Sequence, residues 1–148
     1  MKRTCSAKAH QRGADAIQLD LEDAVAPSEK RPSRKRIVDA LNGLDWGRTT
    51  RCVRINDLTT EYAYEDIIEV VEGARENIDV IMLPKAMSAA DVQFVDKLLS
   101  MMEKKLGLKK RIGLDALEAL SEADRLAHLA PVESLLKGHV QVTLGDED

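Results

Sequence analysis

Three carboxylates crowd one short stretch: Asp20, Glu22 and Asp23, within Ala16-Ile17-Gln18-Leu19-Asp20-Leu21-Glu22-Asp23-Ala24-Val25. Acids this close repel one another unless something cationic sits among them. A metal ion, a basic side chain or a helix N-terminus would each serve. Two basic residues further along hold comparable positions: Arg54 lies near the end of a strand candidate that Asn56-Asp57 breaks, and Lys85 follows Pro84. A guanidinium can grip a carboxylate through two parallel N–H bonds and polarise a carbonyl. Arg54 could equally be the ion-pair partner of Asp20, Glu22 or Asp23, and the two roles are compatible. Lys30 and Arg34, in the basic run after Pro27-Ser28, read as a solvated helix face. The plainest reading of the acids is a solvated strand end followed by an acidic turn.

The elements around these residues follow from periodicity. Ile17, Leu19 and Leu21 alternate with Gln18, Asp20 and Glu22, the period of a strand. A helix is expected from Ser28 to about Leu41, with Pro32 in its early turns and Asn42-Gly43 as its stop. Thr50–Ile55 reads as a second strand, with Val53 and Ile55 on one face. Thr60 is expected to cap a helix to about Arg75, with Ile67, Ile68, Val70 and Val71 as its apolar side. Val80-Ile81-Met82-Leu83 is apolar throughout, as a strand covered on both faces would be. Ser88, with Asp91 three positions on, opens a helix that Gly107 ends. Arg111–Leu117 and Val140–Leu144 read as further strands, with a helical period between Ser121 and Lys137.

This alternation predicts parallel βα units in one α/β domain spanning residues 1–148. About five such strands could form an open doubly wound sheet, or part of a barrel that needs eight. Acids at the carboxyl end of a strand, just before a helix, stand where such folds place their chemistry.

Composition narrows the function. The chain has 148 residues, 44% hydrophobic and 32% charged, enough for one ordinary core. Its net charge of −4 recruits neither nucleic acid nor an anionic membrane, and 3% aromatics leaves little for base stacking. No apolar run approaches a membrane span, and the basic start lacks the apolar segment of a signal peptide. Cys5 and Cys52 form no metal-type spacing and are expected as free thiols in a reducing cytoplasm.

The ordered motifs resemble one family. Gly13 to Pro27 looks like the signature strand of the citrate-lyase β-subunit/malyl-CoA lyase group of the HpcH/HpaI aldolase superfamily. Lys30 and Arg34 fit its following basic positions, while Asn42-Gly43-Leu44-Asp45-Trp46-Gly47, Val53-Arg54-Ile55-Asn56 and Met82-Leu83-Pro84-Lys85 fit its next segments. The resemblance implies a (β/α)₈ TIM barrel, here a partial one with a divergent tail from about residue 118. It implies a Mg²⁺-dependent carbon–carbon lyase that splits a 3-hydroxyacyl-CoA into glyoxylate and an acyl-CoA, working as a homo-oligomer. By the same resemblance Arg54 would bind the keto acid, with Glu22 and Asp23 as its acidic partners near the metal's water shell. Asp20, Lys85 and Lys30 join the substrate-side set.

By the same resemblance Glu118 and Asp148 match the two metal ligands, with Asp146 second to Asp148, although Glu118 stands one residue earlier than the family spacing. Such a shift sends a strand side chain to the opposite face. The family's first strand and its C-terminal strands have no counterpart in the 148 residues, so a shortened relative with impaired turnover is expected. The alternatives are a thioesterase or CoA-transferase of the same family, or a non-catalytic α/β assembly module.

Overall fold

The computed structural model describes residues 14–116. Within them, strands and helices alternate: β1 (Ala16–Asp20), α1 (Lys30–Gly43), β2 (Thr50–Arg54), α2 (Ala63–Ala74), β3 (Val80–Met82), α3 (Ala89–Leu106) and β4 (Gly113–Asp115). Short 3-10 turns at Pro27–Glu29 and Arg75–Asn77 flank α1 and follow α2. The fifth strand expected at Val140–Leu144 and the helical stretch before it lie outside the described residues.

The four strands form one parallel sheet in the order β1-β2-β3-β4. Each strand pairs with the next in sequence, and the order never reverses. A doubly wound sheet requires a reversal, where its ligand crevice forms. Unbroken sequential order is the winding of a β/α barrel, and the four strands are a segment of one. The helices form a layer: α1 packs on α2, and α2 on α3.

Strand alternation divides the sheet into two faces. Leu19, Val53, Ile81 and Leu114 are register neighbours and belong to the core beneath the helices. Leu21, Ile55, Leu83 and Ala116 extend that core one step beyond the strands. The helices supply Ile37 and Leu41, Ile67, Val70 and Val71, and Val92, Val95, Leu99 and Met102. The stripe expected on α2 is buried except at Ile68, which packs at the margin. Gly73 lets α1 and α2 approach closely, because a Cβ there would stand 2.7 Å from a Val38 methyl.

The helix ends show which signals held. Asp91 accepts hydrogen bonds from the N–H groups of Met87 (2.8 Å) and Ser88 (3.1 Å), completing its half of the capping box. Gly107 ends α3 in the left-handed region at φ 64°, where a side chain would be strained. Thr60 does not cap α2, which begins at Ala63. Its hydroxyl donates to the Asp57 carbonyl at 2.6 Å, closing a turn instead. The Thr60 backbone N–H donates to the same carbonyl at 2.9 Å, so Thr60 belongs to this turn and the helix starts three residues later. Pro32 sits in the first turn of α1, as expected.

Candidate functional site

The register of the sheet builds the site. Asp20, Arg54, Met82 and Asp115 are partners across the four strands, forming one row at their carboxyl ends. This row alternates with the Leu19–Leu114 row, so it faces away from the helix-side core. That opposite face is the one a barrel turns inward, and the carboxyl end is its catalytic end.

Arg54 and Asp20 form a two-pronged pair. Arg54 Nε donates to Asp20 Oδ1 at 2.9 Å and Nη2 to Oδ2 at 2.6 Å. The backbone N–H groups of Glu22 (2.8 Å) and Ala24 (3.2 Å) donate to the same carboxylate. Burial pushes the Asp20 carboxyl up, but these hydrogen bonds and the Arg54 charge outweigh it and hold the group below its ordinary 3.8. The hydrogen bond from Arg54 to Asp20, against an opposing burial cost, pushes the guanidinium further up, so it stays charged.

The remaining acids close around the same cation. Arg54 Nη1 lies 3.2 Å from Glu22 Oε2 and 4.0 Å from Asp23 Oδ2. Lys85 completes the cluster, its Nζ 2.8 Å from Glu22 Oε1 and 3.8 Å from Asp23 Oδ1. Its contact with Glu22, then the charges of Glu22 and Asp23, raise the Lys85 pKa. Glu22 is buried, whereas Asp23 is 67% exposed. The proposed partners of the acidic stretch are thus basic side chains from the next two strand ends. A guanidinium has five N–H donors; two are hydrogen-bonded to Asp20, and those on Nη1 face Glu22 at 3.2 Å, so a ligand oxygen would share the Nη edge with Glu22.

Lys85 carries a positive φ of 51°, uncommon for a residue with a side chain. The Leu83-Pro84-Lys85 turn leaves β3 in this conformation and brings the ammonium back over Glu22. Such strain persists only where neighbours hold it, and here it falls in the charge cluster.

Lys30 and Arg34 do not form a solvated helix face. Lys30 is 8% exposed, and its Nζ donates to the carbonyls of Leu21 (2.7 Å) and Glu22 (2.5 Å). Instead of presenting a free cation to a substrate, it anchors the backbone that carries the acids. Arg34 is 1% exposed; its Nε donates to Asp66 Oδ1 at 2.7 Å, and its Nη1 reaches Glu65 and Glu69 at 2.7 and 3.0 Å. The reason is tertiary: α2 brings three acids against α1, and a buried guanidinium needs that much pairing.

Asp66 is the residue sequence reading missed. Fully buried, it accepts from Arg34 and, through Oδ2, from the backbone N–H (2.9 Å) and side-chain amide (2.6 Å) of Asn56. Asn56 lies two residues beyond Arg54, so this pairing fixes the path of the chain leaving β2. An Asp amid the apolar stripe of a helix is the one signal that could have marked it.

Lower on the sheet, Asp79 gathers Arg51 and Lys110 at the amino ends of the strands. Cys52 is a free thiol, pushed up to about 12 by burial first and then by the charges of Asp115 and Asp79. Cys5 lies outside the described residues, as do Glu118 and Asp148. Among the described residues, no set of three His, Cys, Asp or Glu side chains is arranged to hold a metal ion. No helix among them is long and apolar enough to cross a membrane.

The family model for HpcH/HpaI aldolase/citrate lyase matches residues 1–138. The chain belongs to the HpcH/HpaI aldolase/citrate lyase family. It is 40% identical over 141 residues to the L-malyl-CoA/beta-methylmalyl-CoA lyase of Rhodobacter capsulatus, covering 95% of this chain and 44% of that protein. The chain therefore spans less than half the length of this curated relative.

Among solved structures, protein CitE from Mycobacterium tuberculosis, in complex with magnesium and acetoacetate, is 32% identical. It superposes with a TM-score of 0.50 over 76% of this chain and 39% of its own. The Haloferax volcanii malate synthase magnesium/glyoxylate complex superposes with a TM-score of 0.64, over 84% of this chain and 38% of its own. At 18% identity that likeness concerns the fold alone.

Proposed function

We propose that this chain carries the keto-acid-binding part of a carbon–carbon lyase of malyl-CoA lyase type, acting on a 3-hydroxyacyl-CoA to give glyoxylate and an acyl-CoA. The observation that carries the reading is the Arg54–Asp20 fork at the strand ends, with donors left over on the Nη edge. Asp20 holds the guanidinium plane, and the Nη donors that Asp20 leaves, shared with Glu22, take the carboxylate and carbonyl oxygen of the keto acid. Lys85, 57% exposed, adds a second positive charge at the rim.

In the cleavage direction the carbon–carbon bond breaks as the hydroxyl loses its proton. The bonding pair moves to the α-carbon of the acyl thioester as an enolate, which then takes a proton from solvent to become the acyl-CoA, and the hydroxyl-bearing carbon becomes the glyoxylate carbonyl. Charge shifts along the carbonyl oxygen facing Arg54, where fixed donors stabilise it. Of the acids, Asp23 is placed to take the proton, because it is exposed and its cation contacts are the long ones. Glu22, buried between Arg54 and Lys85, orients both cations.

By the family resemblance, Mg²⁺ would be held by Glu118 and Asp148, hard oxygen donors of the type this ion takes. When bound, Mg²⁺ supplies Lewis-acid stabilisation of the carbonyl oxygen. A homo-oligomer and a cytoplasmic setting belong to the same reading.

The test is incubation with malyl-CoA and Mg²⁺, paired with direct titration of glyoxylate against the wild type and Arg54→Ala. Glyoxylate released, or bound by the wild type and not by Arg54→Ala, supports the reading. Free malate in place of glyoxylate assigns thioester hydrolysis instead. Neither product, with no glyoxylate bound, leaves the non-catalytic assembly module.

A further inference from the structure

We propose that Met82 decides which keto acid the Arg54 site accepts, by walling off the space beside the carbonyl carbon. The inference rests on the assignment of Arg54 as the keto-acid anchor and adds the specificity of that site.

The row Asp20–Arg54–Met82–Asp115 carries ionisable side chains at three of its four positions. Met82 is the apolar exception. It is 4% exposed, yet it stands outside the core cluster that packs beneath the helices. Its burial is therefore on the site's side of the sheet. Register places it directly beside Arg54 on the neighbouring strand, opposite the flank that Asp20 fills.

A 2-keto acid bound at Arg54 has three groups to place. Its carboxylate and carbonyl oxygen take the Nη donors that Asp20 leaves. The third substituent, hydrogen in glyoxylate and methyl in pyruvate, must go elsewhere. Toward Asp20 or Glu22 it would strip water and donors from paired carboxylates, which is costly. Toward Met82 it meets an apolar, unbranched side chain. A methyl group on that flank would have to share the space with the Met82 side chain, whereas a hydrogen would not. Steric exclusion of this kind, one carbon at a time, is worth about 10- to 200-fold in discrimination.

The experiment titrates glyoxylate and pyruvate separately against the full chain, the wild type beside Met82→Ala, Met82→Val and Met82→Leu. Comparing affinity ratios across variants cancels the hydration of glyoxylate in water. The wild type should prefer glyoxylate by about 10-fold or more. Met82→Ala should narrow that ratio about 10-fold by binding pyruvate more tightly, Met82→Val should narrow it less, and volume-conserving Met82→Leu should retain it. If Met82→Ala fails to give a wild-type circular-dichroism spectrum, the Val and Leu pair decides by the same ratio. Glyoxylate bound with an unchanged ratio in the smaller variants overturns the Met82 assignment alone. Neither keto acid bound by the wild type overturns the Arg54 anchor, and the specificity assignment with it.

Discussion

Asp66 holds Arg34 across the α1–α2 interface, 32 residues apart in sequence, with a 2.7 Å hydrogen bond between side chains that are 0% and 1% exposed. The other oxygen of Asp66 holds Asn56, just beyond Arg54. One buried carboxylate therefore ties a helix pair to the strand end that bears the site. Removing it leaves a buried guanidinium short of a partner, and Asp66→Ala should cost about 3–5 kcal/mol in a urea melt. Glu69→Gln, which touches the same arginine from a 45% exposed position, should cost less than about 1 kcal/mol.

Acid should weaken the Asp20–Arg54 pair in a defined window. Asp20 has its pKa lowered in the folded state, so its contribution is fully present above the unfolded value and is lost as pH falls through the folded one. The stability difference between the wild type and Asp20→Asn should be constant above about pH 5 and shrink below about pH 4. Chemical denaturation at a series of pH values reads this difference directly. Asp79, also lowered, titrates in both proteins and cancels.

Arg54→Lys keeps the charge and loses the fork. A lysine cannot serve Asp20 and a ligand carboxylate together as a planar guanidinium does. Glyoxylate affinity should fall about 10-fold or more in Arg54→Lys, measured by titration calorimetry.

Lys85 separates backbone strain from charge. At φ 51° a glycine is at ease and an alanine is not. Lys85→Gly should be more stable than Lys85→Ala by about 1 kcal/mol, while both lose the cation over Glu22. Equal melting midpoints for the two variants would contradict the left-handed turn after Pro84.

Cys52 should resist alkylation. With its pKa pushed from 9.0 to about 12, it carries about 1,000-fold less thiolate at pH 8 than an ordinary thiol. Mass spectrometry after timed iodoacetamide treatment, resolved by peptide, should show Cys52 modified more slowly in the folded protein than after denaturation.

Much of the frame was legible along the chain. The period-two run Ile17–Leu21, the apolar Val80–Leu83 and the Ser88–Gly107 helix each stand where their patterns put them, because burial of one face or two imposes those periods. Arg54 facing Asp20, Glu22 and Asp23 on a common rim was also legible, once both segments were read as parallel strands. The failures were polar. Thr60 looked like a cap and closes a turn; Lys30 and Arg34 looked solvated and are buried. Charged residues on a helix read as exposed unless their partners are known, and those partners come from other elements.

The sequence by itself determined the alternation of strands and helices, and which residue types end the strands. Those are properties of local periodicity and of chemistry carried on each side chain. The winding of the sheet, which separates a barrel segment from a doubly wound sheet, was decided by the tertiary structure. So was the row that sets Met82 beside Arg54, and so was the burial of Asp66 between Arg34 and Asn56. Each depends on which strand lies beside which and in what register, and hydrogen bonding between distant segments leaves no periodic trace in either one.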